Sequence, residues 1–84
     1  MKLTWSEEAW EDYLYWQDND KKTVKKINEL LKDASRTPFE GKGKPEPLKH
    51  NLAGFWSRRI TAEHRLVYAV SGDALLIASC RYHY

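Results

Sequence analysis

The sequence predicts an α+β fold in which two N-terminal helices pack on one face of a mostly antiparallel β-sheet. Helical spacing of apolar residues is confined to residues 7–35, whereas strand-like alternation is confined to the stretch after Gly54. Between them, residues 37–49 hold all three prolines (Pro38, Pro45, Pro47) and two of the four glycines (Gly41, Gly43). Helices grouped first and strands grouped after is the α+β order. With 84 residues, no repeat and no linker composition, the expectation is one domain over 1–84.

Each element has a local reason. Residues 2–5 read as a short strand with Leu3 and Trp5 on one face. Ser6 follows as an N-cap, and Glu7 and Glu8 sit in the first turn, where the helix dipole favours carboxylates. Trp10, Tyr13, Leu14 and Gln17 then form a helical stripe, broadened by Trp16. Asp20 caps a second helix over 21–35, with Val24, Ile27, Leu30, Leu31 and Ala34 on its inner face and the lysines mostly elsewhere. Two prolines around Glu46 cannot donate to a central ladder, so this piece is an edge strand. After a turn at 51–54 come strands at 55–61, 65–71 and 74–82, the last two joined tightly by Gly72-Asp73.

Composition narrows the function. One cysteine, Cys80, excludes an internal disulfide framework, and no stretch is apolar and long enough to span a bilayer. The N-terminus has no apolar signal core, so the expectation is a cytoplasmic protein without membrane contact. Net charge is only +2, but residues 36–65 carry seven Lys/Arg against three Asp/Glu, which points that segment toward an anionic partner. Eleven aromatic residues (four Trp, five Tyr, two Phe) serve either a small core or base stacking, and composition leaves both open.

Strand alternation puts Arg65, Val67, Ala69 and Ser71 on one face, and Trp56, Arg58 and Ile60 opposite Phe55, Ser57 and Arg59. On the last strand it groups Leu75, Ile77, Ser79, Arg81 and His83 against Leu76, Ala78, Cys80, Tyr82 and Tyr84. Pairing through Gly72-Asp73 brings the Arg65 end beside the Tyr82-His83-Tyr84 end. Glu46 and His83 then offer a carboxylate–imidazole pair, with Lys49, Arg59 and Arg65 as cations. That inventory suits RNA cleavage by internal transesterification. A base takes the ribose 2′-OH proton, an acid protonates the leaving 5′-oxygen, and cations hold the phosphorane charge. The nucleophile belongs to the substrate, so the chemistry requires neither metal nor cofactor. Tyr84 could stack a flanking base.

Spacing alone also admits ordinary readings. Glu46 reads as an edge-strand carboxylate, His83 as a frayed terminal residue, and Arg59 and Arg65 as surface partners of Glu63. His50 and His64 read as structural or surface residues. Cys80-x-x-His83 is too sparse for zinc, and Cys80 reads as a small buried hydrophobe. The lysine-rich second helix is either a solvated face or a contact for an RNA backbone.

The runs Pro45-Glu46-Pro47-Leu48-Lys49-His50-Asn51-Leu52, Gly54-Phe55-Trp56-Ser57-Arg58-Arg59-Ile60, Glu63-His64-Arg65-Leu66-Val67-Tyr68 and Cys80-Arg81-Tyr82-His83-Tyr84 closely resemble the YoeB family. That family lies in the RelE/ParE superfamily of bacterial toxin–antitoxin systems. The resemblance extends over the whole chain, and the ending Arg81-Tyr82-His83-Tyr84 is specific to this branch. It implies a curved sheet of the microbial-ribonuclease kind and an endonuclease that cuts mRNA in the A site of the 70S ribosome. It also implies a cognate antitoxin and a toxin homodimer. The family's general base matches Glu46, its general acid His83, its phosphate-stabilising arginine Arg65 with support from Lys49 and Arg59, and its terminal tyrosine Tyr84. The alternative within the superfamily is a gyrase-inhibiting toxin, which acts by protein binding and needs no Glu46/His83 pair.

Overall fold

A computed structural model describes residues 1–82. The elements run β1 (Lys2–Trp5), α1 (Glu7–Asn19), α2 (Lys21–Arg36), β2 (Glu46–Pro47), a 3₁₀ turn (His50–Leu52), β3 (Trp56–Arg59), β4 (Arg65–Ser71) and β5 (Ala74–Ser79). The strands form one sheet in the order β1-β5-β4-β3-β2. Only β1–β5 is parallel, with Lys2 opposite Ala74 and Trp5 opposite Ile77; the other three pairings are antiparallel. The expected α+β class holds, with β2 as the proline-containing edge.

Both helix caps form as the residue types predict. Ser6 Oγ accepts the Ala9 N–H at 3.0 Å, and Asp20 accepts the Lys22 and Thr23 N–H groups at 3.1 and 3.2 Å. Asp20 also ends α1, its own N–H reaching the Trp16 carbonyl at 2.8 Å. The buried face of α2 is the expected one, with Ile27, Leu30, Leu31 and Ala34 inside. That of α1 is rotated by about one residue from the predicted stripe. Ala9 and Trp16 are buried, while Trp10 and Leu14 remain 46% and 39% exposed. The rotation turns Asp12 and Trp16 toward the end of the sheet, where they grip the Cys80 backbone. Asp12 Oδ2 accepts its N–H at 3.0 Å, and Trp16 Nε1–H donates to its carbonyl at 2.9 Å.

Those two bonds explain why β5 stops at Ser79 and not at Tyr82. Cys80 has exchanged ladder partners for helix partners, so its backbone groups stay satisfied outside the sheet. The strand also carries a register shift. Tyr68 faces Ile77 but Val67 faces Ser79, which leaves Ala78 as the extra residue of a β-bulge. The carbonyl of Ala78 accepts the Ser6 hydroxyl at 2.8 Å. The bulge overturns the simple alternation expected for β5. Ser79 lies with Val67, and Cys80 joins Leu75 and Ile77 in the core.

Strand β3 is shorter than expected because residues 60–64 close a tight turn, with the Ile60 and Thr61 N–H groups both reaching the His64 carbonyl. The β4–β5 hairpin places its positive φ at Gly72 (58°), the loop position that a type II′ turn reserves for glycine.

Arg58 is the least expected residue of the core. It is fully buried and satisfies all five of its N–H donors. Nε donates to Tyr68 Oη at 2.9 Å. Nη1 donates to Asp33 Oδ2 at 2.6 Å and to the Lys42 carbonyl at 3.0 Å. Nη2 donates to the Thr37 and Glu40 carbonyls at 2.7 and 2.9 Å. Tyr68 in turn donates to the Pro38 carbonyl at 2.6 Å. One guanidinium thereby winds residues 37–42 around itself. Gly41 (φ 117°) permits that approach, since a Cβ there would strike the Asp33 carboxylate.

Candidate active site

The helices cover the face carrying Trp56, Leu66, Tyr68, Leu75 and Ile77. The opposite face carries the candidate residues. Across it, Glu46 pairs with Ser57, Ser57 with Val67, and Val67 with Ser79. One pair further along, Arg59 lies opposite Arg65. Glu46, Arg59 and Arg65 therefore share one face, as alternation from Ser57 and Val67 requires. From strand spacing, the Cα of Glu46 is about 8 Å from that of Arg59 and about 12 Å from that of Arg65. The floor between them, Ser57 and Val67, is nearly closed to solvent.

Each position has a local cause. The Arg58 hub fixes residues 37–42, and the Arg59 N–H donates to the Gly43 carbonyl at 2.7 Å, so the chain enters β2 from a fixed start. Glu46 is exposed on that edge. Lys49 is exposed at the start of the 3₁₀ turn, and it lines with Glu46 and His50 a cleft of about 440 Å³. The Arg59 and Arg65 N–H groups point away from each other, to Gly43 and to the Tyr82 carbonyl. They thus form a non-hydrogen-bonded pair, the arrangement that brings cross-strand side chains closest. Two like charges so placed repel, and an anion between them removes the penalty.

Among the described residues neither arginine pairs with Glu63. Arg65 Nη1 donates instead to the Thr61, Ala62 and His64 carbonyls at 2.8, 3.2 and 3.2 Å, which orients its guanidinium without neutralising it. The expected meeting of the Arg65 and Tyr82 ends occurs, Arg65 N–H donating to the Tyr82 carbonyl at 3.1 Å. His83 and Tyr84 lie outside the described residues.

Among the described residues, three other than glycine have positive φ: Lys44 (52°), His50 (58°) and Tyr82 (62°). Lys44 is two residues before Glu46, His50 directly follows Lys49, and Tyr82 directly precedes His83. Such backbone costs about 1–3 kcal/mol per residue and persists where surrounding contacts over-determine it. All three flank candidate site residues.

Known proteins resemble this chain along its whole length. A profile described as the YoeB-like toxin of bacterial type II toxin–antitoxin systems matches residues 5–84. The chain belongs to the YoeB-like toxin family. Toxin YoeB of Escherichia coli K12 is 81% identical over 84 residues, all of both chains. The solved YoeB/ParE toxin from Agrobacterium tumefaciens is 58% identical, with full coverage of both chains and a TM-score of 0.98. YoeB from Staphylococcus aureus is solved as a dimer (60% identical, TM-score 0.94) and in a YoeB–YefM complex (59%, TM-score 0.93). Each covers all of this chain and 98% of the other. This YoeB-family chain is accordingly a toxin of a type II toxin–antitoxin system.

Two residues of consequence escaped sequence reasoning. Alternation places Arg58 on the inner face, where an arginine demands partners, but its acceptors come from a loop that no pattern predicts. His64 gave no signal beyond standing next to Arg65. Cys80 is buried as expected, and burial, with Asp12 nearby, pushes its thiol up to about 12. Among the described residues no cluster of His, Cys, Asp or Glu could hold a metal ion, and no helix is long and apolar enough to cross a membrane.

Proposed function

We propose that this toxin is a ribosome-dependent mRNA endoribonuclease of the cytoplasm that cleaves codons in the ribosomal A site. Glu46 takes the proton of the ribose 2′-OH, whose oxygen attacks the adjacent phosphorus. The P–O5′ bond breaks, and His83 supplies the proton for the leaving oxygen. Arg65, with Arg59 and Lys49, balances the phosphorane charge, and Tyr84 stacks a flanking base. The products are a 2′,3′-cyclic phosphate and a 5′-OH. Atoms and charge balance in this step without metal or cofactor.

The observation that carries this reading is the shared open face of Glu46, Arg59 and Arg65, with the Arg65 N–H bonded to the residue immediately before His83. The exposed, shallow surface suits a substrate presented by a larger particle, the ribosome. The solved S. aureus assemblies support two further partners for this chain, a second copy of itself and a cognate antitoxin.

Primer extension on mRNA from a translating extract tests the reading. Wild-type toxin is expected to give codon-phased cuts with 5′-OH downstream ends. Glu46→Gln and His83→Ala each reduce them by about 100-fold or more, and Arg65→Ala weakens them too. Growth arrest with uncut message overturns the nuclease reading in favour of a gyrase-inhibiting toxin.

A further inference from the structure

Tyr82 is held at both backbone polar groups by two consecutive residues. Its N–H donates to Nδ1 of His64 at 2.7 Å, and its carbonyl accepts the Arg65 N–H at 3.1 Å. Between these bonds it adopts the left-handed conformation, φ 62°, which a bulky residue keeps only under constraint. The side chain does not supply that constraint by burial, being 58% exposed.

The imidazole that makes the first bond is itself immobilised. It stands edge-on to Trp16, ring centroids 4.8 Å apart, and tilted to the Tyr82 ring at 5.3 Å. The backbone of His64 is held as well, its amide N–H donating to Thr61 Oγ1 at 3.2 Å and its main-chain carbonyl accepting the Ile60 N–H at 3.0 Å. Trp16 meanwhile holds the Cys80 carbonyl. An Nδ1 that accepts a backbone N–H belongs to a neutral imidazole with its proton on Nε2, so the bond assigns the tautomer.

We propose that His64 is a positioning residue for RNA cleavage, a role that rests on the nuclease reading above. By accepting the Tyr82 N–H it fixes the backbone of Tyr82, the residue covalently joined to the proposed general acid. His64 itself touches no reacting atom; it acts through Tyr82 and His83.

Two substitutions separate this role from packing. His64→Asn keeps an acceptor near the place of Nδ1 but loses the ring. His64→Phe keeps a ring against Trp16 but loses the acceptor. Cleavage on ribosomes programmed with a short mRNA would give kcat and KM, and hydrogen exchange would follow the Tyr82 amide. For His64→Phe the expected result is a loss of about tenfold or more in kcat, KM for ribosomes within about twofold, and faster Tyr82 exchange. His64→Asn is expected to retain kcat within about threefold and to keep the amide protected. In a His83→Ala background, His64→Phe adds no further loss.

The reverse pattern, Phe active and Asn inactive, makes His64 a packing residue and overturns the proposal. So does equal wild-type activity in both variants, or a full additional loss on top of His83→Ala. If His64→Phe does not fold, His64→Asn decides alone: retained cleavage with a protected Tyr82 amide supports the role, and loss of either overturns it. If wild-type toxin cuts no message and His83→Ala changes nothing, the nuclease reading has failed. If His83→Ala abolishes cutting while His64→Phe does not, only the role of His64 has failed.

Discussion

Arg58 and Asp33 meet at 2.6 Å between β3 and α2, the arginine side chain fully buried and the carboxylate 12% exposed. The same Asp33 oxygen accepts the Lys42 N–H at 2.9 Å, so one carboxylate ties α2, the 37–45 loop and β3 together. A buried ion pair is weak evidence for stability by itself, but removing one partner strands the other. Here the stranded groups include Tyr68 Oη and three loop carbonyls.

Arg58→Met should therefore lose about 3–5 kcal/mol in urea unfolding. Arg58→Lys should not restore it, because a compact ammonium with three donors cannot serve five acceptors fixed for a planar fork. A wild-type urea midpoint for Arg58→Lys would show that the hub does not hold the loop.

Two carboxylates should respond to pH with opposite sign. The Lys42 N–H, and then Arg58, hold Asp33 below the usual carboxylate range. Its contribution is present above the unfolded value and is lost as pH falls through the lower, folded one. Burial raises Asp12, so its ionised form is disfavoured in the fold and subtracts stability at neutral pH. Asp12→Asn, which can still accept the Cys80 N–H, should raise the neutral-pH denaturation midpoint, whereas Asp33→Asn should lower it. The difference shrinks as the titration approaches about pH 3. Shifts of the same sign at neutral pH would contradict the assignment.

Cys80 should resist iodoacetamide in the native state. Only the thiolate reacts, and burial, with Asp12 beside it, has pushed this thiol up to about 12. Labelling should follow the global unfolding rate in denaturant. Rapid native labelling would mean that the contact between α1 and the chain end opens locally.

Arg59 and Arg65 repel across their pair, so Arg59→Ala should not reduce thermal stability. On the nuclease reading it should weaken association with a short RNA and make the salt dependence shallower by about one counterion. An unchanged salt slope would remove Arg59 from the phosphate contacts.

Legibility in the sequence tracks how local each cause is. Ser6 and Asp20 are read at once because a cap lies two or three residues from its target. The same holds for the α2 stripe, the extent of β4 and the turn at Gly72-Asp73. The face shared by Glu46, Arg59 and Arg65 is half-legible. Alternation fixes the parity of each strand, but only the cross-strand register aligns the three. Alternation fails at Ala78, where one inserted residue reverses the parity expected for the strand.

The sequence by itself determined the helix-then-strand order, the capped ends, the proline edge and the inventory of a carboxylate, an imidazole and several cations. Its motifs also carried the family. Tertiary structure decided the rest. It set the rotation of α1 that brings Asp12 and Trp16 to Cys80, the bulge that turns Cys80 into the core, and the burial of Arg58. It also made His64 the acceptor that holds Tyr82. These features depend on partners far apart in the chain, as in the 68-residue separation of Asp12 and Cys80. No periodicity encodes such pairs; they exist because every buried donor and acceptor must find a partner once the chain has closed around it.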